Sequence, residues 1–177
     1  TYPLLRDALE RGVKVKEIEA KDWVVHPKLT QEWYAKDAMR QAFLRARTTG
    51  LLEERVLERL DVYLYMSEKD VAAVAFPLPD GGFDYLGFTA TDQRSHKWCR
   101  DLFQHYWERA RNRARVVEEL CNWIKKKPKA IGVLMNIAEG EEAVGREELV
   151  SELEKMSLIK RGKLTVLGQF VYAEFRQ

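Results

Sequence analysis

A histidine and a cysteine lie three residues apart in the segment HKWCRDLFQHYW, which spans residues 96–107. On a helix, that spacing places His96 and Cys99 on one face, where they could give a zinc ion two ligands or pair a thiol nucleophile with a base. His105 lies nine residues beyond His96, about 180° around a helix at 100° per residue, so it cannot join them. Because no third ligand follows and Cys99 lies in an aromatic stripe, we favour a buried packing helix over a metal or thiol site.

A second set of reactive side chains begins at His26. The segment His26-Pro-Lys28, with Trp33 five residues after Lys28, resembles the His-x-Lys-x4-Asp signature of phospholipase D-type phosphodiesterases. In that family the histidine attacks phosphorus and the lysine binds the oxyanion, but here tryptophan occupies the acidic position. The sequence has no glycine-rich nucleotide loop and no hydrolase or metalloprotease motif. We therefore predict that the chain is not an enzyme and needs no metal or cofactor, with residual phosphodiesterase activity through His26 as an alternative.

Aromatic side chains suggest a third kind of chemistry, the binding of an apolar or ring-shaped ligand. Several of them fall in the middle of the chain, and they are numerous enough to wall a pocket. The expected ligand-binding residues are Tyr63, Tyr65, Tyr85, Trp98 and Trp107. We predict that such a pocket would take a small-molecule effector.

The composition limits the kind of protein that positions these residues. A chain of 177 residues fits one domain, or one domain with a small second module. Hydrophobic residues make up 46%, enough for a core, while 33% are charged and the net charge is only +2, which indicates a solvated surface. Two cysteines make no disulfide framework, and no signal peptide or bilayer-spanning run occurs. These features predict a cytoplasmic protein without a membrane partner.

The first 110 residues show both helical and strand periodicity. Helices are predicted over residues 3–11, 30–47, 52–60 and from Thr91 or Asp92 to 110, and strands over 13–19, 62–66, 71–76 and 83–88. The last three strands are short and apolar, and the turn Asp80-Gly81-Gly82 joins the final pair. This part of the chain is expected to form an antiparallel sheet with packed helices.

The composition changes after residue 110. Residues 111–177 carry 13 Lys and Arg against 10 Asp and Glu, whereas residues 1–110 carry 17 against 18. Helices are predicted over 113–126, 129–138, 146–156 and 167–175, with a hairpin around Gly162. The predicted fold is therefore α+β, with a sensing or dimerisation domain over 1–110 and a small winged-helix-like module over 111–177.

The segment ELVSELEKMSLIKRGKLTVLGQFVY, residues 148–172, resembles the end of a winged helix-turn-helix. In that family the third helix runs into a leucine–isoleucine–basic strand, and a wing leads to Leu-Thr-x-x-Gly. The resemblance implies DNA contact through the basic residues Lys125, Lys126, Lys127, Lys129, Lys160, Arg161 and Lys163. The third helix also carries four acidic residues, Glu147, Glu148, Glu152 and Glu154, which phosphate repels. A role of this module in docking or dimerisation therefore stays open.

The segments LLRDALERGVKVKEIEA, residues 4–20, and FDYLGFTATDQRSHKWCRDLFQHYWERAR, residues 83–111, carry a second resemblance. They are similar to effector-sensing domains of archaeal winged-helix transcription regulators of the TrmB type. Such domains are similar to half of a phospholipase D-like fold without its catalysis, which accounts for the incomplete motif at His26.

The two resemblances together imply a function. They indicate a transcription regulator, or its effector-sensing part, that couples ligand binding to DNA binding as a homodimer. DNA would be contacted by this chain or by a domain upstream of Thr1. The alternative is a non-catalytic protein–protein interaction or dimerisation module related to phospholipase D-like domains.

Overall fold

The computed structural model describes residues 2–21, 23, 37–69, 72–77, 83–141, 143 and 145–176. The predicted motif at His26, Lys28 and Trp33 and the predicted turn at Asp80-Gly81-Gly82 lie outside these residues. The fold is α+β, as the sequence predicts, with helices packed around small sheets that contain antiparallel strand pairs.

The described residues form helices and short strands along the whole chain. In chain order these are α1 (Tyr2–Glu10), β1 (Val15–Ala20), α2 (Asp37–Thr48), β2 (Leu52–Leu57), β3 (Tyr63–Met66), β4 (Ala72–Pro77), β5 (Phe83–Thr89), α3 (Gln93–Arg109), β6 (Arg111–Asn112), α4 (Arg113–Lys125), α5 (Pro128–Ala138), α6 (Glu147–Lys155), β7 (Ile159–Lys160), β8 (Lys163–Leu164) and α7 (Val166–Phe175). Their contacts divide the chain into two compact units: unit 1 comprises residues 1–56 and 111–177, and unit 2 comprises residues 57–110.

The compact units differ from the predicted domains in one respect. The predicted boundary after residue 110 coincides with the end of unit 2, but the N-terminal segment of the chain groups with the C-terminal one. Backbone pairing explains this grouping, because Arg55 of β2 lies opposite Asn112 of β6 in an antiparallel pair. In addition, the Val166 amide donates a hydrogen bond of 2.7 Å to the Trp23 carbonyl. The division into a sensing domain and a winged-helix-like module stays a prediction about function.

The N-terminal part of unit 1 is a three-stranded sheet, in the order β1-β2-β6, with helices α1 and α2 packed together. Leu9, Ala46 and Leu52 are buried at the centre of this packing. Gly12 has a φ of +80°, the left-handed conformation that ends a helix and favours glycine, so the predicted stop after the first helix is confirmed.

The helix predicted over residues 52–60 is wrong. Residues 52–57 form strand β2 in the middle of the sheet. The buried residues Leu52 and Val56 are four positions apart, and that spacing satisfies one helical turn and also the two-residue repeat of a strand. Pairing with β1 and β6 decided between the two, because it satisfies the backbone groups of the segment in a sheet.

The C-terminal part of unit 1 has the element order of a winged helix. Helices α4, α5 and α6 are followed by the antiparallel hairpin β7-β8 and by the closing helix α7. Their shared core contains fully buried aliphatic residues, among them Ile124, Leu134, Leu153, Leu158 and Leu167. The predicted helices and the hairpin around Gly162 are therefore confirmed, and α4 supplies the first of the three helices that such a module requires.

Unit 2 is an antiparallel sheet in the order β3-β4-β5, with α3 packed on one face. Asp92 caps this helix, since its carboxylate accepts a hydrogen bond of 2.9 Å from the Ser95 amide. Cys99 of α3 is buried against Ala72 and Val74 of β4. The helix HKWCRDLFQHYW is thus a packing helix, as the sequence suggests.

Candidate nucleic-acid interface and buried charge cluster

The first group of predicted DNA-binding residues lies where α4 passes into α5. Lys125 is in the last turn of α4, and Lys126 caps its C-terminus. Lys129 lies in the first turn of α5, directly after Pro128 at the helix start. All three lysines are exposed to solvent, so their ammonium groups can reach a phosphate backbone outside the unit.

Lys127, between these residues, has a different environment. Its Nζ lies 2.7 Å from both carboxylate oxygens of Glu152 on α6. The same ammonium lies 5.0 Å from the ring centre of Trp123 on α4, within the range of a cation–π interaction. Lys127 therefore ties three helices of the module together, and its contact with DNA stays a prediction.

The second group of predicted DNA-binding residues forms the tip of the β7-β8 hairpin, which we call the wing. Lys160, Arg161 and Lys163 are all exposed. Arg161 and Gly162 have positive φ angles of 52° and 70°, which turn the chain between the two strands. The Arg161 amide donates a hydrogen bond of 3.2 Å to the Glu154 carboxylate, and this bond joins the wing to α6.

Helix α6 occupies the position of a recognition helix, and its surface is acidic. Glu147, Glu148 and Glu154 are exposed, while Glu152 is paired with Lys127. The only basic residue within α6 is Lys155, in its last turn. Since phosphate repels such a face, the structure does not favour insertion of α6 into a DNA groove.

A groove of about 730 Å³ lies between the end of α5, one side of α6 and the wing, and we call it the wing groove. Apolar side chains line it, including Ile137, Ala138, Val150 and Leu164. Charged side chains line it as well, namely Glu139, Glu141, Glu147, Glu154 and Lys163. The wing groove is therefore concave, largely apolar and edged mostly by carboxylates.

The predicted aromatic ligand site is not assembled by the side chains that the structure describes. Leu64 of β3 packs toward α3, so the alternation of a strand directs Tyr63 and Tyr65 to the opposite face of the sheet. On α3 itself, Trp98 is 53% exposed, whereas Trp107 is buried and stacks on a neighbouring ring. Nine positions separate the two tryptophans, which places them on opposite sides of the helix.

Tyr85, the fifth predicted ligand-binding residue, lies in β5, and its side chain is outside the described part of the structure. The sheet separates the β3 tyrosines from α3, and the helix separates its own two tryptophans. These four side chains therefore do not line a single pocket, and ligand binding by the five predicted residues stays a prediction. All four side chains are aromatic, as the prediction required, but they point in different directions.

His96 and Cys99 are both buried within unit 2, and His96 contacts neighbouring polar groups. The His96 Nε2 atom lies 2.9 Å from the Ser67 carbonyl, and its Nδ1 lies 3.4 Å from an Arg100 guanidinium nitrogen. Burial raises the pKa of the Cys99 thiol, which disfavours the nucleophilic thiolate. Among the residues that the structure describes, no group of three His, Cys, Asp or Glu side chains could hold a metal ion.

Five charged residues outside all of the predicted sites form a buried cluster in unit 1. Arg113, at the start of α4, is bonded to Glu54 of β2 and lies 3.2 Å from Glu19 of β1. The Arg47 guanidinium donates two hydrogen bonds, of 2.7 and 3.0 Å, to the same Glu54 carboxylate. The Arg113 guanidinium also lies 3.9 Å from the ring centre of Phe170 on α7. Arg113 thus connects the N-terminal sheet with two helices of the winged-helix-like module.

Glu17 completes the cluster and gives it an excess of carboxylates. Desolvation by burial, followed by repulsion from Glu19 and Glu54, raises the pKa of Glu17 to about 8, although Arg113 and Arg47 act in the opposite direction. Burial likewise raises the pKa of Glu19. Three carboxylates share two guanidinium groups, so the cluster retains a proton near neutral pH.

We expect the stability of the chain to fall as pH rises toward about 8. The raised pKa of Glu17 means that the folded state keeps a proton that the unfolded state, with an ordinary value of 4.5, releases. The stabilisation that this retained proton gives the folded state is complete below pH 4.5 and is lost as pH rises through the folded pKa of about 8. Urea unfolding at a series of pH values should show this decline, and Glu17→Gln should make it shallower.

The matched control for that experiment is Glu53→Gln, in the same strand as Glu54. Within the described part of the chain, Glu53 pairs with Lys14 on the surface, at 3.8 Å, and with no other residue. The control should keep the wild-type dependence of stability on pH. A Glu17→Gln protein with the wild-type dependence would show that this carboxyl does not hold the proton.

The spacing of the acidic residues was the available signal for the cluster. Glu17 and Glu19 are two positions apart in a predicted strand, which places both on one face of a sheet. Two carboxylates on one strand face need cations from elsewhere, but the sequence does not say which of its 30 Lys and Arg residues supply them.

Comparisons with known proteins give little beyond this geometry. No protein-family model matches the sequence, and no curated protein matches it. Among solved structures the chain is similar to TrmBL2, which is described as an archaeal chromatin protein with a novel mode of DNA binding. The identity is 20% and the TM-score 0.44, over 63% of this chain and 39% of that chain. A similarity of this size, over less than half of TrmBL2, carries no argument about this chain.

No helix among the described residues is both long and apolar enough to span a membrane.

Proposed function

We propose that the chain belongs to a cytoplasmic transcription regulator and that its winged-helix-like module contacts DNA. The observation that carries this proposal is the position of six exposed basic side chains at two sites of one folded module. Three lie at the α4–α5 junction and three on the wing: Lys125, Lys126, Lys129, Lys160, Arg161 and Lys163. Phosphate contacts of this kind supply most of the affinity of non-specific DNA binding.

The proposed contact involves the DNA backbone more than the bases. Lysine and arginine at a helix junction and on a wing tip can neutralise phosphates without reading sequence. The acidic surface of α6, with Glu147 and Glu148 in its first turn, opposes entry of this helix into the major groove. We therefore expect weak sequence preference and a strong dependence of affinity on salt.

Coupling to an effector would use the connection through Arg113. This side chain joins strands β1 and β2 to the start of α4, so a ligand that favours one arrangement of the sheet would also bias the module. Effector binding, homodimer formation and a contribution from a DNA-binding domain upstream of Thr1 are parts of the same proposal.

Neutralising the wing should weaken DNA binding and flatten its salt dependence. In the triple variant Lys160→Gln, Arg161→Gln and Lys163→Gln, each lost phosphate contact should reduce the slope of log K against log salt by about 0.9. Fluorescence anisotropy with a labelled duplex at several salt concentrations measures this. The triple variant of Lys125, Lys126 and Lys129 should behave in the same way.

Lys97→Gln is the control, because Lys97 is an exposed lysine of unit 2 paired with Asp101. Its slope should match that of the wild type. An unmodified chain that fails to bind duplex DNA even at low salt, or wing variants that retain the full slope, would refute DNA contact through these residues.

The acidic surface of α6 favours a second candidate function, docking to a protein. Glu147, Glu148 and Glu154 are exposed on a helix that a DNA reader would keep neutral or basic. This function is the non-catalytic interaction or dimerisation module that the sequence left as an alternative. Sedimentation equilibrium of the wild type and of Glu148→Lys tests self-association through this surface, which should weaken in the variant if α6 forms a dimer contact.

A further inference from the structure

The wing groove combines two properties that point to one kind of occupant. Its interior is apolar, with Ile137, Val150 and Leu164 contributed by three different elements. Its volume, about 730 Å³, falls within the range of clefts that bind ligands in proteins. When apolar side chains of a partner replace water in such a groove, the free energy of the system falls.

The edge of the groove carries a strong excess of negative charge. Among the lining residues that the structure describes, four carboxylates face the single ammonium of Lys163: Glu139, Glu141, Glu147 and Glu154. Within the described residues, no ion pair involves Glu139, Glu141 or Glu147. Of these four carboxylates, only that of Glu154 accepts a hydrogen bond from another described residue, the Arg161 amide, and that bond involves one of its two oxygens. The carboxylates are therefore available to cations outside the chain.

We propose that the wing groove docks a short segment of a partner protein that carries apolar side chains flanked by lysine or arginine. The apolar side chains occupy the interior, and the flanking cations pair with the four edge carboxylates. DNA is a poor occupant, because its phosphates meet these carboxylates at close range. This inference deepens the second candidate function, protein docking, and does not depend on DNA binding.

The groove supports a peptide better than a flat protein surface. Helix α6 forms one wall through residues on a single face, Glu147, Val150, Ser151 and Glu154, at helical spacing. The wing also lines the groove, through Gly162, Lys163 and Leu164. A concave lining with one helical face and an apolar interior matches the mode in which an amphipathic helix lies in a hydrophobic groove.

A synthetic probe tests the proposal with the full chain. The probe is a fluorescein-labelled peptide of leucine and lysine, ordered so that leucines recur at helical spacing, and its binding is measured by fluorescence anisotropy. A scrambled peptide of the same composition, without an apolar face, serves as the probe control. The ordered peptide should bind, and the scrambled peptide should bind far more weakly.

The double variant Glu139→Gln, Glu147→Gln should weaken binding of the ordered peptide by about tenfold, since each lost surface charge pair contributes up to about 1 kcal/mol. The matched control is Glu118→Gln, Glu174→Gln, which removes two exposed carboxylates from α4 and α7 outside the groove. Val150→Thr, which keeps the side-chain shape but replaces a methyl group with a hydroxyl, should also weaken binding. Circular dichroism establishes that each variant is folded.

Three results would overturn the proposal: no binding of the ordered peptide, equal binding of the scrambled peptide, or equal losses in the groove and control variants. If the chain self-associates through Glu148 but does not bind the ordered peptide, the proposal for the groove fails while protein docking through α6 is supported. A parallel titration with duplex DNA separates both results from failure of the DNA proposal.

Discussion

Replacing Arg113 with methionine should lower the free energy of unfolding by about 3–5 kcal/mol, the cost of removing one partner from a buried ion pair. The Arg113 side chain is only 8% exposed, and those of its partners Glu19 and Glu54 are 16% and 9% exposed. Methionine leaves Glu19 without its bonded cation and leaves Glu54 with Arg47 alone. It also removes the cation–π contact to Phe170.

Urea unfolding monitored by tryptophan fluorescence measures this loss. The matched control is Arg111→Met, two residues earlier in the chain, because Arg111 pairs with Glu119 in a bridge whose side chains are 53% and 60% exposed. An exposed pair of this kind contributes about 0–1 kcal/mol, so the control should remain close to the wild type. Equal losses in the two variants would show that the Arg113 cluster does not join the N-terminal sheet to the winged-helix-like module.

The Arg113 variant also bears on effector coupling. If the cluster transmits a change in the sheet to α4, the variant should respond less to an effector at concentrations where it remains folded. Glu17→Gln keeps the Arg113 contacts and should therefore retain the coupling. The two variants separate the connection itself from its protonation state.

Gly168→Ala should destabilise the winged-helix-like module by about 3 kcal/mol, at the upper end of the usual cost of overpacking a core. A methyl group at Gly168 would overlap the Leu158 carbonyl oxygen and would lie 2.9 Å from its carbon. Both are backbone atoms, and Leu158 is fully buried, so the chain cannot relieve the clash by rotating a side chain. The Gly168 amide also donates a hydrogen bond to Thr165, which caps α7.

Gly132→Ala should stabilise the same module, in contrast to Gly168→Ala. Gly132 lies inside α5, and the nearest atom to an added methyl group is a guanidinium nitrogen of Arg146 at 3.9 Å, an ordinary contact. Alanine there should raise the free energy of unfolding by about 0.5–1 kcal/mol, because it restricts the unfolded chain and favours the helix. Thermal and urea unfolding of the two variants measure both effects. A Gly168→Ala protein as stable as the wild type would contradict the close approach of α7 to Leu158.

Local patterns in the sequence determined most of the winged-helix-like module. The spacing of Leu149, Val150 and Leu153 predicts α6, and Gly162 between two basic residues predicts the wing. Both were confirmed, since each signal lies within a few residues of the element that it describes. The sheet of unit 2 and its covering helix were predicted for the same reason. The TrmB-type sensing role stays a prediction, because it concerns a ligand and not a pattern.

Tertiary contacts decided the features that depend on distant residues. Leu52 and Val56 fit a helix or a strand, and only pairing with β1 and β6 placed them in a sheet. Lys127 looks like a DNA contact in the sequence, but Glu152, 25 positions away, binds its ammonium. Tyr63 and Trp98 are both aromatic, yet the sheet separates the tyrosine from the helix that carries the tryptophan.

The buried charge cluster is the clearest case of this difference. Glu19 and Arg113 are 94 positions apart, and neither residue differs in type from the many exposed acids and bases of a chain that is 33% charged. Residue type and short-range spacing report the local conformation of the backbone, so they predict helices, turns and strand faces. Which charges lose their water and meet each other depends on how those elements pack, and that information exists only in the folded chain.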